Sequence, residues 1–224
     1  EITIEAAPDT VICMSPSVTE IVYALDAEEK LVGRADSCDY PEDALSIESV
    51  GTDNNPDVDA IASLEPDIVI ASTLFSADAY GELVEQGITV VFINDANSIG
   101  GMFNTIKDVA DIIGVHEDGE ALVEELQTEL DELWISAPNT EISVYYCRAY
   151  GEYGDYTAGN NTLVGNIITA SGAINAASDV SGWIYSADEL MEADPDYILI
   201  DEPNYDGFVS TEPYASLTAV REGR

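Results

Sequence analysis

Two short phrases of the same design constrain how this chain can fold. Leu64-Glu65-Pro66-Asp67-Ile68-Val69-Ile70 and Ala193-Asp194-Pro195-Asp196-Tyr197-Ile198-Leu199-Ile200 share one plan. Each joins an amphipathic helical run (Val58 to Leu64, Ala187 to Met191) to a Pro-Asp turn and then to an apolar run of strand length. The two prolines stand 129 positions apart, too far for a solenoid period, so the chain makes one helix-to-strand step in each of two similar lobes. Two lobes imply a cleft, and clefts are where small ligands bind.

The runs around the first phrase extend the pattern. Val11 to Met14, Leu31 to Arg34, Ile68 to Ala71 and Val90 to Ile93 alternate with helical stretches starting near Val18, Val58 and Tyr80. Strands alternating with helices predict a mostly parallel sheet covered on both faces. From about Ser98 to Ala137 no strand is predicted. Met102, Ile106, Val109, Ala110 and Ile113 mark one helical face, Gly114 interrupts it, and Leu122, Leu126, Leu130, Leu133 and Trp134 mark another. A helix of about 20 residues is ~30 Å long and would bridge two lobes as a strut. The alternation resumes with Ile142 to Cys147, a helix over Leu163 to Ala170, a short Ala173-Ile174 run, a helix from Ala187 and Tyr197 to Ile200. Leu217 to Gly223 reads as a turn leading toward a further strand. The expected division is residues 1–98, an N-terminal α/β lobe; 99–137, a bridging helical segment; and 138–224, a C-terminal α/β lobe.

Charge narrows the function classes. Six basic residues against 45 acidic ones give a net charge of −39, with the acids spread along the chain. Such a surface repels phosphate backbones and anionic lipid, which argues against nucleic-acid and membrane-surface binding. It suits a highly soluble or salt-adapted protein, and it is compatible with docking on a basic partner. No apolar run reaches the ~18 residues of a membrane span. Cys13, Cys38 and Cys147 lack metal-site spacing, and Cys13 and Cys38 are read either as a pair or as small buried residues. The single histidine, His116, follows Gly114-Val115 away from any predicted strand end, so neither a His-based relay nor an imidazole-built metal site has a candidate.

In an open parallel sheet, ligands bind outside the carboxyl ends of the strands. Those ends carry Ser15-Pro16-Ser17, Arg34 to Tyr40 including Ser37, Ser72-Thr73, and Arg148 to Tyr156. Ser17-Val18-Thr19-Glu20 fits a capping box, and the same helix start would offer N–H groups to a polar ligand. Arg34 and Arg148 each follow a predicted strand, one per lobe. Each would bind a carboxylate or phosphate of a ligand, or else pair with one of the many acids. Tyr150 and Tyr153 lie among glycines in a loop, where flat amphipathic rings can cover a ligand, and Trp183 lies in a second loop.

These residues resemble those of the class III solute-binding proteins of ABC importers for cobalamin, haem and ferric siderophores. The resemblance is carried by Val11-Ile12-Cys13-Met14-Ser15-Pro16-Ser17-Val18-Thr19-Glu20-Ile21, Val32-Gly33, Asp39-Tyr40-Pro41, the first Pro-Asp phrase, Tyr156-Thr157-Ala158-Gly159-Asn160, and Trp183 with Glu189 and Pro195-Asp196. It covers essentially the whole chain. It implies two Rossmann-like α/β lobes with mostly parallel sheets, joined by one long bridging helix, with a final strand and helix expected beyond Arg224. It also implies a secreted or lipid-anchored protein, extracellular or periplasmic, whose signal segment precedes the given chain.

The ligand implied is a small-molecule metal chelate, with any iron or cobalt carried by the ligand and no cofactor or metal site of the protein's own. Ligand contacts are expected from Ser15, Pro16, Ser17, Arg34, Ser37, Tyr40, Thr73, Arg148, Tyr150, Tyr153 and Trp183. Trp183 matches a cleft tryptophan of cobalamin binders, although Ser37 and Cys38 stand where those carry an aromatic. Arg34, Arg148 and Tyr150 suit a ferric siderophore. The partners implied are an ABC permease and its ATPase, met by a monomer through acids among Asp78, Asp206 and Glu212. The alternatives are a metallocluster or tetrapyrrole enzyme of similar architecture, which would need Cys38 and Cys147 as ligands, and a surface receptor without a transporter.

Overall fold

In the computed structural model, which describes residues 6–94, 96–137, 140–152 and 154–224, the short apolar runs become strands and the amphipathic runs become their covering helices. The chain divides into two compact units, Glu1–Asp95 with Met102–Gln127 and Ala96–Gly101 with Thr128–Arg224.

The first unit contains β1 (Val11–Met14), α1 (Pro16–Ala24), β2 (Leu31–Arg34), a small hairpin of β3 (Gly51–Thr52) and β4 (Asn55–Pro56), α2 (Val58–Ser63), β5 (Ile68–Ala71), α3 (Ala77–Glu85) and β6 (Val90–Phe92). Its main sheet has the order β2-β1-β5-β6 and is parallel throughout. Side chains alternate across a strand, so a four-residue apolar run feeds two cores. Val11, Cys13, Ile68 and Ile70 pack with Val18 and Val22 of α1, while Ile12, Met14, Val69 and Ala71 pack on the other face with Ile61 of α2 and Leu83 of α3.

Two longer helices follow, α4 (Ile99–Ile113) and α5 (His116–Ser136), and the boundary between the units crosses both. Val109, Ala110 and Ile113 of α4 complete the first of those cores. Gly119 lets α5 approach α4 closely, since a Cβ there would come within 2.4 Å of the Ala110 methyl. Lys107 and Glu120 pair across the two helices at 2.8 Å, and His116, the first residue of α5, pairs with Asp111.

The second unit contains β7 (Ser143–Cys147), β8 (Asp155–Tyr156), α6 (Leu163–Ala170), β9 (Ile174–Asn175), β10 (Ile184–Tyr185), α7 (Ala187–Ala193), β11 (Tyr197–Ile200), α8 (Glu202–Ser210) and α9 (Thr218–Glu222). Its parallel sheet has the order β11-β7-β9, and β8 pairs antiparallel with β10. Tyr145 and Cys147 of β7 pack with Leu190, Phe208, Tyr214 and Leu217. Burial pushes the Cys147 thiol up to about 12, so it stays protonated.

The Pro-Asp phrases are structurally equivalent. In each, the residue before the proline takes positive φ (Glu65 at 48°, Asp194 at 36°), the proline is buried, and the following aspartate ties down the neighbouring strand. Asp67 accepts from the N–H groups of Asp9 and Thr10 at 2.8 and 3.0 Å, just before β1. Asp196 accepts from the N–H and hydroxyl of Ser143, the first residue of β7, at 2.8 and 2.9 Å. These main-chain donors, Thr10 for Asp67 and Ser143 for Asp196, hold both carboxyls below the usual range. The aspartates therefore clamp the amino ends of the two sheets.

Two expectations are corrected, and one open alternative is decided. The helix after β1 starts at Pro16, so Ser17 is its second residue and no capping box forms there; proline's fixed φ sets the first helical position one residue earlier and leaves Ser15 as the N-cap. Thr218–Glu222, read as a turn toward a strand, is the helix α9, closed by Gly223 at positive φ. Of the two readings of Cys13 and Cys38, the small buried residue holds for both: they are free and sit in cores on opposite faces of the first sheet. Burial raises both thiols above their ordinary range.

Candidate functional site

The carboxyl ends of the parallel strands gather the candidate residues of each unit separately. In the first unit, Ser15 is buried, with its hydroxyl 3.0 Å from that of Ser17, and its carbonyl accepts the Thr19 hydroxyl. Pro16 is half-buried, while Ser17, Ser37, Tyr40 and Thr73 are exposed. Tyr40 presents 67% of its surface on the loop after β2, and Leu74, which the sequence did not single out, presents 68% on the loop after β5.

Arg34 behaves differently from its neighbours. It is only 8% exposed, and its Nη1 donates to the carbonyls of Ala35 and Asp36 at 2.9 and 3.4 Å. It forms no ion pair with a carboxylate among the described residues, and its Nε is buried without a hydrogen-bond partner there. The guanidinium folds back to brace its own loop, and its buried Nε–H is left without a partner among the described residues.

In the second unit the loop after β7 and the loop before α7 converge. Tyr156 joins them: its carbonyl accepts the Arg148 N–H at 2.9 Å and its N–H donates to Ala149 at 2.8 Å, while Tyr156 itself pairs with Ile184 in the β8–β10 ladder. The Trp183 loop is further knitted to the Thr157-to-Asn160 segment. The N–H groups of Thr157, Gly159 and Asn160 donate to the carbonyls of Trp183, Gly182 and Val180 at 2.8 to 2.9 Å. Gly159 has to be glycine here, because a Cβ would lie 2.7 Å from two of those carbonyl oxygens.

This framework sets the guanidinium of Arg148 5.8 Å from the centre of the Trp183 ring, a cation–π geometry. Both side chains are exposed. Among the described residues Arg148 pairs with no carboxylate, despite the chain's 45 acids. A planar apolar surface beside a free guanidinium can cover a flat ligand face and hold an anionic substituent at its edge.

Other sequence candidates stand elsewhere. Tyr150 is half-buried, with its ring edge-on to Phe208 and Tyr214 at 5.2 and 5.3 Å. Tyr153 lies outside the described residues. Asp78, in the first turn of α3, lines an open groove of about 480 Å³ with Asp57, Asp59 and Glu82. Asp206 is exposed on α8, and Glu212, also exposed, accepts from the Ser216 hydroxyl. Asp155 and Tyr156 lie in the Arg148-to-Tyr156 stretch expected at a strand end, though neither was expected as a ligand contact, and Ile184 was not foreseen at all. The alternation of Ile184-Tyr185 after Gly182 is the local signal for β10.

The two-unit α/β architecture agrees with the comparison to known proteins. The chain matches a family model described as "Periplasmic binding protein" over residues 11–224, and it belongs to that family. It is 32% identical over 206 residues to an ABC transporter substrate-binding lipoprotein of Bacillus subtilis, covering 89% of this chain and 65% of that protein. It is 28% identical over 205 residues to a cobalamin-binding protein of Halobacterium salinarum, covering 88% of this chain and 55% of that protein. The chain thus spans between about half and two thirds of the length of these relatives. A solved structure of a possible iron-binding periplasmic solute-binding protein from Staphylococcus epidermidis shares the fold, with a TM-score of 0.85 at 23% identity, covering 97% of this chain and 88% of that one. Among the described residues no helix is long and apolar enough to cross a membrane.

Proposed function

We propose that this chain is the extracellular solute-binding component of an ABC importer, and that its cargo is a corrinoid-type metal chelate. The observation that carries the reading is the exposed Arg148–Trp183 stack, a cation that pairs with no carboxylate among the described residues, held over an exposed aromatic ring. Trp183 would cover the flat or apolar part of the ligand, and Arg148 would meet a phosphate or carboxylate on it. The cobalamin-binding relative supports the corrinoid class, and the lipoprotein relative supports a secreted or membrane-anchored location. In this reading the protein carries its ligand without transforming it, and the cobalt or iron belongs to the ligand. The protein acts as a monomer that delivers its cargo to a permease and its ATPase, with Asp78, Asp206 and Glu212 among the acids facing basic groups of that partner.

The test is a tryptophan-quenching titration with cyanocobalamin, haemin and a ferric hydroxamate siderophore. Cyanocobalamin is expected to quench saturably, and Arg148→Ala to weaken its binding roughly 10-fold or more, the worth of a charge-assisted hydrogen bond. Saturable quenching by haemin or the siderophore alone would move the cargo to that class, and silence from all three would sink the reading.

A further inference from the structure

At the β8–β10 ladder, Asp155 belongs to a buried polar cluster that the ligand reading does not use. Asp155 is 7% exposed, and its carboxylate accepts the Tyr214 hydroxyl at 2.5 Å and the Gly151 N–H at 3.2 Å. Tyr214 is itself buried, stacked on Phe208 at 4.7 Å, and both rings receive the edge of Tyr150. The Tyr150 hydroxyl reaches the carbonyl of Asn204 in α8. It does so across Gly207, where a Cβ would come within 2.1 Å of that oxygen. Glycine inside a helix is unfavourable, and here the missing Cβ makes room for Tyr150.

A buried carboxylate is costly unless its bonds are made, so Asp155 is held where Tyr214 and Gly151 meet it. From Asp155 the constraint passes along one residue in two directions. Tyr156 fixes the backbone of Arg148 and Ala149, and Asp155 itself pairs in register with Tyr185, two residues from Trp183. Loops that carry ligand contacts are ordinarily mobile, and ordering them on binding weakens affinity. This loop is anchored beforehand to α8 and to the Tyr214–Ser216 turn.

We propose that Tyr214, Asp155 and Tyr150 form a latch that pre-sets the backbone around Arg148 so that Arg148 stands over Trp183, which makes all three positioning residues for ligand capture. The proposal rests on the reading of Arg148 and Trp183 as ligand contacts. It predicts a ligand-independent signature as well as an effect on affinity.

The chain has two tryptophans, so in the full chain carrying Trp134→Phe, Trp183 is the single reporter. Its quenching by acrylamide is measured without ligand and well below the unfolding temperature, with Arg148→Ala marking the full effect of losing the stack. Tyr214→Phe, which removes the hydroxyl and keeps the ring, should change Trp183 quenching toward that mark. It should also weaken cyanocobalamin binding by roughly 2- to 10-fold, the cost of ordering one or two more side chains. Gly207→Ala, a helix-favouring change that displaces Tyr150, should act the same way and serves if Tyr214→Phe does not fold. A lowered Tm with unchanged Trp183 quenching in both variants would overturn the latch and leave the cluster a purely structural one. If cyanocobalamin fails to bind even the unsubstituted chain, the ligand reading falls, and the acrylamide result alone decides the latch.

Discussion

The central sheet of the first unit is buried on both faces, whereas the sheet of the second is buried on one. All four residues of β1 and all four of β5 are buried, feeding separate cores above and below. In β11, which follows the equivalent Pro-Asp turn, Ile198 and Ile200 turn toward the core while Tyr197 and Leu199 remain 41% and 50% exposed. The two runs are almost equally apolar. A continuous apolar run is necessary for a strand covered on both sides, but it does not supply the cover. The covering helices decide, and in the first unit α1 and α4 lie on one face while α2 and α3 lie on the other.

That contrast can be broken most forcefully in the cores. Ile70→Ala, at a fully buried position, should cost about 2–5 kcal/mol in urea unfolding. Leu199→Ser, at the corresponding kind of position in the second sheet, should cost under about 1 kcal/mol. Equal losses would mean that the exposed face of β11 is covered in solution.

A smaller effect separates the two turn residues of positive φ. Glu65→Gly relieves a left-handed conformation and is expected to stabilise by up to about 1 kcal/mol. Asp194→Gly relieves the same strain but removes the acceptor of the Thr218 N–H and hydroxyl, at 2.8 and 2.6 Å, and should destabilise. Thermal melts of the two variants with opposite signs would support the distinction; a shared sign would remove it.

The smallest expected effect is a pH dependence shared by both units. Asp67 and Asp196 have folded pKa values below their unfolded ones, so each contributes stability above about pH 4 that is lost as pH falls through the lowered value. Asp67→Asn with Asp196→Asn should flatten the acid limb of the urea midpoint against pH. An unchanged limb would assign it to other carboxyls.

Much of this arrangement was legible in the residues. The β1 and β5 runs, the two long helices without an intervening strand, and the loops that carry Arg148 and Trp183 followed from period and punctuation. The failures have local causes. Ser17-Val18-Thr19-Glu20 and Ser186-Ala187-Asp188-Glu189 both fit a capping box, but only the second forms one, because Pro16 starts its helix too early for the first. Helix α8 was missed although Asp201-Glu202-Pro203 is a helix-start pattern, with proline in the first turn. Arg34 and Arg148 look alike in the sequence, but Arg34 is the last residue of β2 while Arg148 follows β7. One is 8% exposed and bonded to its own loop, while the other is free to stack on Trp183.

What the sequence determined by itself was the repeated helix-to-strand step and the alternation around it, because periodicity and turn chemistry act over a few neighbouring residues. Tertiary structure alone decided which apolar faces are covered, which arginine is exposed, and that Asp155 meets Tyr214, 59 positions away. Burial and hydrogen-bond partners are set by segments distant in the chain, and no local pattern records who those neighbours are.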